Sequence, residues 1–454
     1  MQPMTVREIE HAAAGVWQNP GEGFSKVSGI STDSRKIETG CLFIPLIGEN
    51  FDGHDYIDAA LRAGAAGVLC SKLPDERRPD KFYIKVADTR LALKALAKFC
   101  REQYRIPFVQ VTGSVGKTTT KDMIAAVLSA RYRVLKTPEN FNNNIGVPMT
   151  LLGMTPEIEA AVIETGMNHF GEIRYLGEMV QPDIAVISNI GDAHIEYLGS
   201  REGILKAKSE IFENLRPGGA AVLNGDDALL NTLNLSCTTI RCGQSAHCGV
   251  RVSEIADHGV DGITCQVRTQ KDVYRLNIPA PGEHMAYSAS MAVAIGERLG
   301  LSREEIIRGV ASYEPTGSRM HILKLSGNRT ILDDCYNANP QSVTAALEIL
   351  AKTESGRKIA VLGDMGELGD LTEQAHYNMG ALAAMLGIDE VFAVGTKAAK
   401  IFQGTEENGG KVRYFATKEE ALTALRECFT KDTAMLIKAS HAMHFGWLVE
   451  QLGK

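Results

Sequence analysis

VTGSVGKTTT, Val111 to Thr120, lies between the apolar run IPFVQV (106–111) and the helical pattern KDMIAAVL (121–128). A strand, a glycine-rich turn and a helix in that order are the setting of a phosphate-binding loop. Gly113 and Gly116 let the backbone approach a ligand closely, so that successive N–H groups and the helix N-terminus face phosphate oxygens. Ser114, Val115 and Thr119 complete the predicted cradle, with Lys117 placed for the β- and γ-phosphates and the Thr118 hydroxyl for Mg²⁺. Val111 stands where the longer pattern has glycine, so this is the shortened GxxGKT form. A glycine turn capping a helix with a surface lysine is the competing reading.

On both sides of this loop, between about 84 and 313, strand-like runs alternate with helical patterns. IEAAVIE, IAVISNI and AAVLN are the runs, and REGILKAKSEIFENL is the clearest helix. Such alternation predicts a mostly parallel sheet covered by helices, with ligands beyond the carboxyl ends of its strands. Glu164 ends one run and His194 follows another, which makes both candidate metal ligands on that edge, although position alone favours a loop polar group for each taken singly. Lys208 sits in the polar helix, where composition predicts a solvated lysine and where Lys206 and Glu210 are spaced for an i,i+4 pair. NFNNNIG (140–146) reads as a polar turn or as a cluster of amides able to hydrogen-bond a polar substrate.

At 454 residues the chain predicts about three domains. The first, 1–82, reads as a small α/β unit with a helix near Val6 to Ala14 and strands in CLFIPL and AAGVLC, bounded by the polar SKLPDERRPD at 71–80. The second is 83–313. The third, 314–454, repeats the alternation as a Rossmann-like unit: LDDCYNANP and VLGDMGELGD put Asp333, Asp334, Asn337, Asn339, Asp364 and Glu367 just after strands, where they suit a ligand edge or turn and N-cap chemistry. The predicted class is therefore α/β throughout.

A net charge of −7 argues against sequence-independent nucleic-acid binding, which needs a basic face. The start MQPMTVREIE has no basic segment leading into an apolar run, and no stretch is apolar enough to span a bilayer, so a cytoplasmic setting without membrane attachment is expected. Nine cysteines, an odd number without a CxxC pair, suit reduced thiols. The spacing of Cys237, Cys242, His247 and Cys248 fits no common zinc pattern.

In order along nearly the whole chain, STDSRKIETGCLF, GENFDGHDYI, TGSVGKTTTK, NFNNNIGVPMTLL, ETGMNHFGEI, SNIGDAHIEYLGS, KAKSEIF, DDCYNANPQSV and LGDMGELG closely resemble the Mur ligase family. The resemblance implies an N-terminal domain for a UDP-sugar, a central ATPase and a C-terminal domain that closes over the site. It also implies an ATP-dependent ligase that adds D-alanyl-D-alanine to UDP-N-acetylmuramoyl-tripeptide through an acyl phosphate, as a monomer, leaving open whether the third acceptor residue is lysine or diaminopimelate. By likeness, Ser31, Asp33, Ser34 and Arg35 fall in the uridine-nucleotide site, and Asn142 and Asn143 face the muramoyl peptide. Thr118, Glu164 and His194 match magnesium positions, two ions being implied, and Lys208 matches a lysine carried as a carbamate that binds the metal. Arg319, Asp334, Asn337 and Asn339 match the segment that reaches ATP after closure.

Met285 and Ser288 in PGEHMAYS depart from the asparagines usual there for adenine, and Ala439 and His441 in KASHAM depart from KGSRxM. A related ligase that adds a single amino acid, or a folate polyglutamate synthetase, is the nearest alternative. DDCYNANP, LGDMGELG and the lack of a DNPR motif disfavour it. A P-loop switch or transport ATPase would explain the phosphate loop alone.

Overall fold

The computed structural model of the protein describes residues 1–18 and 26–453. Three sheets follow one another along the chain, with five, nine and six strands among the described residues. Across the first sheet the order is Val16–Trp17, Phe82–Lys85, Gly67–Cys70, Leu42–Phe43, Ile30–Ser31, parallel except for the first pair. The polar stretch 71–80 therefore connects two strands of one sheet, where its composition had predicted a domain edge.

The central sheet is built on Phe108–Thr112, flanked by Ala160–Glu164 and Ile184–Ile187, all parallel. It continues through Ala220–Asn224, Thr238–Gly243 and Val250–Asp257 and then turns antiparallel at Ile263–Arg268 and Val273–Ile278. Every side chain of Phe108–Thr112 is buried, as expected for a strand covered on both faces. On one face lie the helices Lys117–Ser129 and His284–Arg298, and their Met123, Ile124, Val127, Met291 and Ile295 fill the core against Val109, Val111 and Val162.

The opposite face shares its core with the first unit. Met4, Val6 and Ile9 belong to the same apolar cluster as Val147, Leu151, Ile163 and Leu176. The helix Thr89–Glu102, capped by Asp88 through the N–H groups of Arg90 and Leu91, lies in this joint with Leu93, Leu96 and Ala97 inward.

In the last sheet the order is His321–Leu325, Arg329–Asp333, Thr433–Lys438, Arg357–Gly363, Glu390–Val394, Val412–Phe415, antiparallel only at the first pair. Its two apolar clusters draw their buried members only from residue 331 onward. Against the central unit it makes polar contacts instead. Lys324 meets Asp261 at 2.7 Å, and Lys352 reaches both Asp257 at 3.2 Å and Glu283 at 3.0 Å. Among the described residues no helix is long and apolar enough to cross a membrane.

Candidate active site

The phosphate loop leaves the buried strand Phe108–Thr112 and enters the helix Lys117–Ser129 through Gly116, whose φ of +77° needs glycine. At Gly113 an added Cβ would sit 1.9 Å from Ser188 Oγ, so the loop lies hard against the end of the neighbouring strand. Two residues there brace it: Ser188 Oγ donates to the Val115 carbonyl at 2.7 Å, and Asn189 Oδ1 accepts the N–H groups of Ser114 (3.2 Å) and Val115 (2.9 Å). The N–H groups of the first helical turn, at Lys117, Thr118 and Thr119, have no partner within the helix and remain for a ligand.

Lys117 Nζ folds back onto the loop, donating to the carbonyls of Gly113 at 2.9 Å and Ser114 at 3.4 Å. Lys208 reaches the same Gly113 carbonyl at 2.9 Å from the helix Arg201–Ser209. That helix starts at Ser200, which caps Gly203 N–H, and its inner face carries Ile204, Ala207 and Lys208. Lys208 is 1% exposed, so the solvated lysine that composition predicted is a buried one. Burial, and after it the charge of Lys117, push its pKa well below that of an ordinary lysine. Burial also lowers Lys117, against the attraction of Glu164. The expected Lys206–Glu210 pair is replaced as well: Glu210 accepts the N–H groups of Gly171 and Arg174, and Lys206 lies over the Phe170 ring.

Glu164 is buried at the end of its strand and binds two of the other candidates. Its Oε2 accepts the Thr118 hydroxyl at 2.7 Å and its Oε1 accepts Asn142 Nδ2 at 2.7 Å. Lys121, fully buried, balances this charge at 3.9 Å while donating to the Thr137 carbonyl at 2.8 Å. Asn143 uses its Oδ1 on the N–H groups of Ile145 and Gly146. His194, with φ of +66°, has Glu367 Oε2 2.7 Å from its Nδ1, close in distance but without hydrogen-bond alignment.

Across the cleft, Asp334 Oδ2 accepts Lys438 Nζ at 2.5 Å and its Oδ1 accepts Met320 N–H at 3.0 Å. Arg319 stacks 3.6 Å above the Tyr336 ring, and Asn339 caps the helix Pro340–Lys352 through Ser342 N–H. Residues 114–119, Asn142, Asn143, Glu164, His194, Arg319, Asp334, Asn337 and Asn339 all line one cavity of about 1060 Å³. Ser31, Asp33, Ser34 and Arg35 do not line it. They form a separate turn in the first unit, where the Arg35 guanidinium beside Asp33 draws that carboxyl down to about 2.

The loop 364–367 is held from behind by His376, whose Nδ1 donates to the Thr372 carbonyl at 2.7 Å and whose Nε2 accepts Met365 N–H at 2.9 Å. Only the neutral ring can make both bonds, and burial lowers its pKa. A histidine with a lowered folded pKa contributes stability above its unfolded pKa of about 6.5 and loses it as pH falls below that value. Urea midpoints measured from pH 7.5 down to pH 5 should therefore fall more steeply in the native chain than in His376→Gln. Parallel curves would contradict this.

Asn189, Ser188, Lys121, Tyr336 and Lys438 join the site beyond the residues predicted from sequence. Asn189 and Lys438 each follow or end an apolar run on the carboxyl edge, the same cue that marks Glu164. Among the described residues there is no group of three or more His, Cys, Asp or Glu that could hold a metal ion.

The donors at the phosphate loop suit a nucleotide with Mg²⁺. Mg²⁺ takes few protein ligands beside phosphate and water, and a buried carboxylate touching a hydroxyl supplies that small hard set. Three family models cover most of the chain: "Mur ligase family, catalytic domain" at 26–104, "Mur ligase middle domain" at 111–296 and "Mur ligase, glutamate ligase domain" at 318–441. The UDP-N-acetylmuramoyl-tripeptide–D-alanyl-D-alanine ligase of Bacillus subtilis is 39% identical over 451 residues, covering 99% of this chain and 98% of its own. MurF of Acinetobacter baumannii superposes with a TM-score of 0.92 at 34% identity over 100% of this chain and 99% of its own. MurF ligase of Thermotoga maritima in complex with ADP gives 0.82 at 26% identity, over 94% and 97%. With relatives of that identity matched end to end on the same three-sheet frame, the chain belongs to the Mur ligase family.

Proposed function

We propose that this chain joins D-alanyl-D-alanine to UDP-N-acetylmuramoyl-tripeptide with conversion of ATP to ADP and phosphate. The observation that carries the reading is the convergence of Lys117, Lys208, Thr118 and Glu164 on one phosphate loop, opposite a second unit that brings Arg319 and Asp334 to the same cavity. The full-length likeness to the Bacillus subtilis ligase supports the choice of substrates.

In this reading the acceptor carboxylate takes the γ-phosphoryl group, ADP leaves, and the dipeptide amine displaces phosphate from the acyl phosphate. Lys117 and the free N–H groups of Lys117–Thr119 hold the phosphates, and their fixed positive ends offset the charge that develops during transfer. Mg²⁺ would be held by Thr118, Glu164 and His194, with Lys208 joining them as a carbamate, and would supply further charge neutralisation. Asn142, already on Glu164, and Asn143 face the peptide end. Ser31, Asp33, Ser34 and Arg35 take the uridine nucleotide outside the large cavity. Closure of the last unit keeps water from the acyl phosphate. The setting is the cytoplasm, and a single chain suffices.

Purified enzyme given ATP, Mg²⁺, UDP-muramoyl tripeptide and a panel of amines should yield one product, with the mass of the D-alanyl-D-alanine adduct. Phosphate release should require both organic substrates. Release with nucleotide alone would favour an ATPase switch, and preference for a single amino acid would favour a related ligase.

A further inference from the structure

We propose that Glu367 is a positioning residue: from the C-terminal unit it fixes the ring of His194, so that the metal site of the central unit is completed from across the cleft. The proposal rests on the reading of His194 as a magnesium ligand.

Glu367 Oε2 lies 2.7 Å from His194 Nδ1, which is shielded from solvent. His194 lines the large cavity and Glu367 does not, and with Nδ1 beside the carboxylate it is Nε2 that is left for a metal. A metal-binding imidazole must be neutral and must present a lone pair. A carboxylate 2.7 Å from the far nitrogen favours the proton there, and a small turn of the ring as the metal binds aligns the two into a hydrogen bond.

Both partners are held in place at a backbone cost. His194 (φ +66°) and Glu367 (φ +59°) are non-glycine residues in the left-handed region, which L side chains rarely adopt. The start of the loop that carries Glu367 is tied down by three bonds: Met365 N–H to His376, Ala398 N–H to Asp364 Oδ1, and Ser440 N–H to the Asp364 carbonyl. Just beyond it, Gly369 packs against Glu196, two residues after His194, so the two segments meet along their length. Asp364, which the sequence marked equally, is used up inside its own unit, which leaves Glu367 as the carboxylate of LGDMGELG that crosses.

The test is Mn²⁺ binding followed by electron paramagnetic resonance in the full chain with a non-hydrolysable ATP analogue and UDP-muramoyl tripeptide. His194→Ala and Glu367→Ala should each weaken Mn²⁺ roughly tenfold or more, the size of effect usual for partners of a metal-bound histidine. Glu367→Gln, whose amide oxygen can still accept Nδ1–H, should recover at least half of that loss on a logarithmic scale and also guards against misfolding of the alanine variant. X-ray scattering should show the same ligand-bound radius of gyration for all variants. If His194→Ala weakens Mn²⁺ and Glu367→Ala does not, the positioning role is overturned while the metal reading stands. If His194→Ala binds Mn²⁺ normally, the metal reading itself is wrong. A Glu367→Ala protein that stays open with ligands bound would make the residue a latch and would also overturn the proposal.

Discussion

Lys117→Ala is expected to lose ligation by about 10³-fold or more in kcat/KM while folding almost normally. One preorganised group facing the charge of the transition state is worth about 3–4 kcal/mol, and a lysine on transferring phosphates is such a group. Folding should be spared because Nζ bonds only two carbonyls of its own loop, and burial already disfavours its charge. The check pairs a phosphate-release assay with a thermal melt. Turnover within a few fold of the native rate would remove the phosphate site from the chemistry, and a collapsed melting temperature would show the lysine to be structural.

Lys208→Ala is expected to be inactive and to regain part of its activity with formate or acetate. A lysine 1% exposed, beside a second lysine on one carbonyl oxygen, is poorly placed to stay a cation. Its lowered pKa keeps a larger share of the amine neutral, the form that attacks CO₂ to give a carbamate and release a proton. The product is an anion, which exchanges repulsion by Lys117 for attraction and provides oxygen ligands for Mg²⁺. A small carboxylate diffusing into the space left by alanine would restore that charge. Activity of the variant with no added acid would sink the carbamate role. The same chemistry sets a direction with pH: activity should fall on the acid side as the amine takes up a proton.

Much of this site could be read from the chain because its chemistry is local. The phosphate loop is ten consecutive residues whose flanking runs announce a strand and a helix, and Glu164 and His194 follow strands that have to be parallel to it. The residues that escaped prediction act over long separations. Asn189 holds a loop 75 residues earlier, and Lys438 holds an aspartate 104 residues earlier, in pairings that only the folded sheets create. The burial of Lys208 was hidden for a related reason: the polar composition of its helix predicts solvent, but the inner stripe meets the phosphate loop. At 71–80 prolines and charges looked like a boundary because a tight link between two parallel strands uses the same residues. The antiparallel end of the central sheet, Ile263–Ile278, gave no βα alternation from which to predict it.

The apolar cluster that runs from Met4 to Val180 welds the first two sheets into one block, whereas the last sheet keeps its oil to itself and meets that block through ion pairs and close backbone approaches such as Gly369 against Glu196. Close-packed interiors resist shear and water-exposed charge pairs do not, so three sheets make two mechanical parts. The turn at Ser31–Arg35 and the phosphate loop ride on the same anvil, and the final third is set against it like a hammer head, with no buried apolar seam in common.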